Sequence, residues 1–76
     1  MSEAAADEDA QARLVRLVHD LRTPLTVITG FLELLERQRD KLTEEQRVEY
    51  LGRVSAAATE MRGILDDERE QRLSSS

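Results

Sequence analysis

Apolar residues recur at helical spacing through the first half of the chain, and this periodicity restricts the fold more than any other feature. Between Leu14 and Leu35 they follow one another at steps of four, three, four, three, four and three residues. Such spacing places them on one face of an α-helix. Leu17 and Phe31 widen this face beyond a two-stranded seam. The pattern predicts a bundle helix over about residues 12–39, with an apolar stripe formed by Leu14, Val18, Leu21, Leu25, Ile28, Leu32 and Leu35.

A second helical stripe follows a short polar connection at about residues 40–43. Thr43 precedes Gln46 by three residues, which is the pattern of a capping box. Two glutamates then occupy the first turn, where acidic side chains interact favourably with the helix dipole. These signals predict a second helix over about residues 44–70, with a stripe formed by Val48, Leu51, Val54, Ala58, Met61 and Leu65.

The chain has 76 residues, which is enough for one domain at most. A single hairpin of two helices would leave part of each wide stripe uncovered, whereas pairing two hairpins buries the remainder. The sequence therefore predicts an all-α fold, an antiparallel helical hairpin that dimerises into a four-helix bundle. The expected domain covers residues 12–72, after a flexible acidic lead-in at residues 1–11 and before a tail at residues 73–76.

Composition excludes several classes of function. The 11 basic and 16 acidic residues give a net charge of -5, which disfavours nucleic acid and anionic membrane surfaces. The sequence has no cysteine and one histidine, so a disulfide scaffold or a zinc site is not expected. The longest uncharged run is ten residues, too short to span a bilayer, and the polar N-terminus does not resemble a secretion signal. The three isolated glycines form no phosphate-binding loop, so no cofactor is expected to bind this chain.

Pro24 lies in the middle of the first predicted helix, where a proline costs about 3 kcal/mol. Two interpretations are open. Thr23 could be an N-cap with Pro24 as the first residue of a new helix. Alternatively the helix continues with a kink, and the carbonyl of Asp20 loses its usual donor. The apolar phase continues unchanged from Leu21 to Leu25, which favours the continuous, kinked helix.

The only histidine, His19, has polar neighbours within one helical turn and lies on the face away from the apolar stripe. Asp20 follows it directly, and Arg16 and Arg22 lie three residues before and after it. Thr23 is four residues on, roughly 40° around the helix. A nitrogen nucleophile, a base, a hydroxyl that can position water and cationic charge together suit phosphoryl chemistry. On spacing alone, the alternative is an ordinary surface histidine.

The segment HDLRTPLT, His19–Thr26, resembles the H-box of sensor histidine kinases. The region from about Arg13 to Arg69 resembles the dimerisation and histidine phosphotransfer (HisKA-type) domain of these kinases. The histidine, acid, two further residues, threonine and proline carry the resemblance, followed by an apolar helix and a second helix. Val18 stands where many members have a small polar residue, and Asp20 where many have glutamate.

The resemblance implies a role for each residue of the motif. His19 would be the phosphoacceptor, which takes the γ-phosphoryl group of ATP from a separate catalytic domain and passes it to an aspartate of a response regulator. Asp20 would accept the imidazole proton or orient the ring. Thr23 would position a water molecule that dephosphorylates the regulator. Arg22 and Pro24 would shape the helix, with Pro24 as a hinge beside the reactive group.

The resemblance also implies partners and a location. The expected partners are a second copy of the chain, a response regulator receiver domain and an ATP-binding catalytic domain that holds ATP and Mg²⁺. Neither nucleic acid nor membrane contact by this segment is expected. The chain would act in the cytoplasm as part of an enzyme, a histidine protein kinase, whether or not that parent is membrane-anchored. The alternatives are a dimeric stand-alone histidine phosphotransfer protein and a purely structural signalling hairpin.

Overall fold

The protein folds as two long α-helices joined by a short connection, as the sequence predicts. A computed structural model describes the backbone of residues 3–75 and the side-chain surroundings of residues 9–73. Helix α1 spans Glu3–Arg37 and helix α2 spans Glu44–Ser75, and no strand occurs among residues 3–75. The helices lie side by side as a flat antiparallel hairpin of 60 × 20 × 10 Å. Residues 1, 2 and 76, which belong to the predicted lead-in and tail, lie outside the described residues.

Both helices extend further at the open end of the hairpin than the apolar pattern predicts. Helix α1 begins at Glu3 rather than near residue 12, and α2 ends at Ser75 rather than near residue 70. The added segment of α1 is alanine-rich and acidic, and this composition favours the first turns of a helix. It contains no large apolar residue, so a prediction based on apolar periodicity starts too late.

Two cross-helix contacts define how α1 and α2 are aligned. A guanidinium nitrogen of Arg13 lies 3.7 Å from a carboxylate oxygen of Glu68. The rings of Phe31 and Tyr50 lie 5.3 Å apart between centroids, tilted by 46°. The residue numbers of each pair add to 81. Residues of α1 and α2 whose numbers add to about 81 therefore lie at the same height along the hairpin.

The interface between the helices is most completely buried at Pro24 and Ala57. This alignment places the two residues opposite each other. Pro24 is less than 2% exposed and Ala57 is 6% exposed. A small alanine opposite the proline ring lets the helix axes approach. The half-buried residues on either side repeat at steps of three and four, which is the spacing of antiparallel helix packing. They include Leu17, Leu21, Ile28, Phe31 and Leu35 on α1, and Tyr50, Val54, Met61, Ile64 and Glu68 on α2.

The two broad sides of the hairpin differ in chemistry. Asp20 and Asp67 line a groove on one side, the polar side, whereas Leu65 and Arg69 line a groove on the other, the apolar side. At about 100° per residue, most of the exposed large apolar residues of both helices lie towards this second side, whereas Val27 lies on the polar side. Part of the predicted stripe therefore faces solvent in the single hairpin. The large apolar residues exposed on the apolar side are Leu14, Val18, Leu25 and Leu32 of α1 and Leu51 and Leu65 of α2.

The connection is closed by the capping box that the sequence predicts. The backbone N–H of Gln46 donates to the Thr43 hydroxyl, and the backbone N–H of Thr43 donates to the Gln46 side-chain oxygen, each at 3.0 Å. The guanidinium of Arg47 donates to the carbonyl of Arg39 at 3.0 Å, and Leu42 is buried beneath the turn. The start of α2 is thus fixed by reciprocal hydrogen bonds. Across the described residues, neither helix has the length of apolar sequence needed to cross a membrane.

Candidate phosphoacceptor site

His19 projects from α1 on the face opposite α2, as the sequence predicts. It lies about 180° around α1 from the residues that pack on α2. Its side chain is 81% exposed, and its Nδ1 atom lies 3.5 Å from Oδ1 of Asp20. With Asp20 beside Nδ1, the Nε2 atom on the far edge of the ring is left open to an incoming group.

Asp20 connects the histidine to the polar side of the hairpin. Its side chain is 50% exposed and lines the groove there together with Arg16 and Gln71. The distance of 3.5 Å to His19 exceeds that of a hydrogen bond, about 2.7–3.2 Å, so the contact is an ion-pair approach. A small rotation of either side chain would bring the two atoms within hydrogen-bond distance. A carboxylate in this place can orient the imidazole and accept a proton from Nδ1.

Thr23 lies inside a continuous helix, so its interpretation as an N-cap is wrong and the interpretation of a helix continuous through Pro24 is confirmed. Nearby threonines are engaged with the backbone, since the hydroxyl of Thr26 donates to the carbonyl of Arg22, and that of Thr29 to Leu25, each at 2.9 Å. The Thr23 hydroxyl has no hydrogen-bond partner among the described residues. It is exposed near His19 and is available to bind water.

Pro24 has a packing role that the sequence reasoning missed. Its ring faces α2 and is the largest fully buried side chain among the described residues. The signal was present in the sequence, because Pro24 lies seven residues after Leu17 and seven before Phe31, both of which face α2. Its nitrogen has no hydrogen to donate to the carbonyl of Asp20, so one backbone acceptor beside His19 lacks its usual partner.

Cationic charge surrounds the histidine. Arg16 and Arg22 are exposed, and neither forms an ion pair with another residue of the part that the structure describes. They flank His19 at three residues on each side, the distance of neighbours on a helix surface. No group of metal-ligating side chains occurs among the described residues. The site can therefore present a nucleophilic nitrogen, a carboxylate and two guanidiniums to a phosphoryl group.

A shallow apolar depression lies on α1 beyond the histidine, towards the connection. It is lined by Thr26, Val27, Gly30, Phe31 and Leu34. Gly30 lies in open space, because a Cβ atom added there would have nothing within 4 Å. No contact in the hairpin therefore requires a glycine at this exposed position, where it costs the helix roughly 1 kcal/mol. Sequence reasoning treated this glycine only as an isolated helical residue.

Comparison with known protein families matches residues 13–73 to the HisKA family, described as the His Kinase A (phospho-acceptor) domain. This match covers most of the chain and includes the greater part of both helices and the whole His19 group. The chain belongs to the HisKA family.

Three curated relatives are similar over one domain only. The sensor protein DivL of Caulobacter vibrioides is 47% identical over 49 residues, which are 64% of this chain. The sensor histidine kinase GacS of Pseudomonas protegens is 39% identical over 54 residues, and YcbM of Bacillus subtilis, also a sensor histidine kinase, is 31% identical over 58 residues; these are 71% and 76% of this chain. The matched regions span 6%, 6% and 18% of the three relatives, in that order. No solved structure matched the chain.

Proposed function

We propose that this chain is the phosphoacceptor and dimerisation domain of a sensor histidine kinase, with His19 as the phosphoacceptor. The observation that carries the proposal is the exposed His19 ring with Asp20 next to Nδ1, within a hairpin of the HisKA family. In this arrangement one ring nitrogen is open to attack phosphorus while the other faces a proton acceptor. A purely structural hairpin would require neither group.

The proposed transfer uses both ring nitrogens. The lone pair on Nε2 of His19 attacks the γ-phosphorus of ATP, the bond from that phosphorus to the bridging oxygen breaks, and ADP leaves with the electron pair. The proton on Nδ1 passes to Asp20, so the phosphorylated ring is neutral. In the second transfer an aspartate oxygen of the receiver domain attacks the phosphorus, the P–N bond breaks, and Nδ1 recovers its proton.

ATP and Mg²⁺ would be held by a separate domain of the parent kinase, because the sequence contains no glycine-rich phosphate loop. The kinase activity then belongs to the parent protein, and this chain supplies the acceptor. Because the reaction would depend on ATP, we propose that it takes place in the cytoplasm. In a stand-alone phosphotransfer protein the same His19 chemistry would draw on another kinase, and an ATP-binding domain in the parent chain would decide between the two.

Thr23 would act in the reverse direction of signalling, the dephosphorylation of the regulator. Support comes from its hydroxyl, which is exposed and, unlike those of Thr26 and Thr29, does not bond to the helix backbone. A hydroxyl one turn from His19 can hold a water molecule in line with the phosphorylated aspartate of a docked receiver domain. The apolar depression around Val27 and Gly30 lies next to this position and would provide the docking contact.

Dimerisation would occur through the apolar side of the hairpin. A two-fold axis parallel to the helices keeps every residue at its own height, so the alignment within a hairpin also applies between hairpins. Leu14 then meets Leu65 of the partner subunit, and Leu32 meets Leu51 of the partner subunit, since these residue numbers add to 79 and 83, within two of 81. Exposed apolar residues of the two helices thus match in height, and four helices would enclose one core.

The test of the acceptor is phosphorylation by the ATP-binding domain of the parent kinase with labelled ATP. Wild-type chain should gain a label that is labile in acid and stable in base, as expected for a P–N bond. His19→Gln should lose the label while keeping its helical circular dichroism. Label that persists in His19→Gln would show a different acceptor and refute the proposal.

A further inference from the structure

We infer that Arg62 of the partner subunit completes the phosphoryl-binding site at His19 when two hairpins dimerise. This inference rests on the dimeric arrangement proposed above and assigns a positioning residue that acts between subunits. The guanidinium would bind oxygen atoms of the phosphoryl group on Nε2 by charge-assisted hydrogen bonds.

Arg62 contributes no ion pair to the part of the hairpin that the structure describes. Its side chain is exposed. By contrast, Arg13 and Arg72 both lie within 4.0 Å of Glu68 at the open end of the hairpin. An unpaired guanidinium on an acidic chain of net charge -5 is available for an anion supplied from elsewhere.

The height of Arg62 matches that of His19. Their residue numbers add to 81, the value set by the contacts Arg13–Glu68 and Phe31–Tyr50. Because a two-fold axis parallel to the helices preserves height, Arg62 of the partner subunit lies level with His19. No shift along the bundle is needed to bring the two side chains together.

The direction of the side chains distinguishes the two subunits. His19 points directly away from α2 of its own hairpin, so its own Arg62, on the far helix, cannot reach it. Arg62 lies about 130° around α2 from the residues that pack on α1, at the outer rim of the apolar side. Arg22 occupies the corresponding rim of α1. In the bundle these rims adjoin, with helix axes about 8–10 Å apart, a gap that a long arginine side chain crosses.

The resulting site has a consequence for the unphosphorylated dimer. Arg22 and Arg62 of the partner subunit flank the same seam and repel each other when no anion lies between them. A phosphoryl group on His19 places close to two negative charges beside both guanidiniums. The arrangement therefore favours the phosphorylated state and should speed the approach of an anionic phosphoryl donor.

The test uses phosphoramidate, which phosphorylates histidine without any ATP-binding domain. A ring nitrogen attacks its phosphorus, its P–N bond breaks, and ammonia leaves. Two mixed dimers, assembled from differently tagged chains, separate action within a subunit from action between subunits. In the first, one chain carries His19→Gln and the other Arg62→Ala, so the reactive His19 faces an intact Arg62. In the second, one chain carries both substitutions and the other is wild type, so the reactive His19 faces alanine.

His19 in the second mixed dimer should be phosphorylated roughly three- to tenfold more slowly than in the first, as expected for the loss of one charge-assisted contact. The first should match a dimer of wild-type and His19→Gln chains. Arg62→Lys should restore part of the rate because it keeps the charge. The matched control is Arg53→Ala, which deletes an arginine that lies on the polar side of α2. This substitution should leave the rate of phosphorylation unchanged.

Equal rates in the two mixed dimers, or slower labelling of the first, would overturn the role of Arg62 and leave the proposed function intact. A monomeric wild-type chain, or a wild-type dimer that takes no label, would refute the proposed function, and the inference would fail with it.

Discussion

Truncating Leu25 to alanine should weaken the dimer far more than the same kind of truncation on the polar side of the hairpin. Leu25 is on the apolar side, and its side chain remains 51% exposed after the two helices have packed. Burial of a whole leucine side chain contributes about 1.5–3 kcal/mol. Half of this, about 1 kcal/mol, is therefore left to be gained at the dimer interface by each of the two subunits.

The two copies together give about 2 kcal/mol, which raises the dissociation constant of the Leu25→Ala dimer about 30-fold, since 1.4 kcal/mol is a factor of ten. Sedimentation equilibrium over a range of concentrations measures this constant directly. Val27→Ala, two residues away and on the polar side, is the matched control and should change it less than threefold, below about 0.7 kcal/mol. Equal effects of the two substitutions, or a wild-type chain that is a folded monomer, would refute the assignment of the apolar side as the dimer interface.

Three further substitutions test the site and the connection. Asp20→Asn should keep the helical content but slow phosphorylation of His19 by on the order of 10²–10⁴, because the proton acceptor is lost; an unchanged rate would exclude that role. Thr23→Ala, assayed in the complete parent kinase, should abolish dephosphorylation of the regulator while the melting temperature and His19 phosphorylation remain, since Thr23 caps no helix; retained phosphatase activity would exclude water positioning. Thr43→Ala should cost roughly 0.5–2 kcal/mol in urea unfolding through loss of the capping box, without affecting phosphorylation of His19; an unchanged unfolding free energy would contradict the capping role.

Apolar periodicity predicts the hairpin because the helices are held by packing of side chains at regular steps. The start of α2 is predicted equally well, because the capping box around Thr43 is a local sequence signal. Apolar periodicity misses the first turns of α1, where alanine and acidic residues favour a helix without forming an apolar stripe. It also merges two surfaces, because residues that face α2 and residues that face solvent, such as Leu21 and Leu25, belong to the same stripe in the sequence.

The sequence likewise predicts some features of the site and not others. The motif identifies His19 and its neighbours, and helical spacing places the histidine on the outer face. The contact of Asp20 with Nδ1, the free hydroxyl of Thr23 and the burial of Pro24 depend on side-chain rotamers and on the alignment of α2 against α1. These are properties of the packed hairpin. The height match between His19 and Arg62 likewise requires cross-helix contacts, which spacing along one helix does not contain.

The most direct test of His19 as the phosphoacceptor is to locate the phosphoryl group on the intact chain after reaction with ATP and the catalytic domain of the parent kinase. Mass spectrometry should show one added phosphoryl group per chain, and ³¹P–¹H correlation spectra should place it on Nε2 of His19. This is the nitrogen that the contact between Nδ1 and Asp20 leaves open. A phosphoryl group on Nδ1, on a hydroxyl or on a carboxylate, or a chain that gains none, would contradict the account.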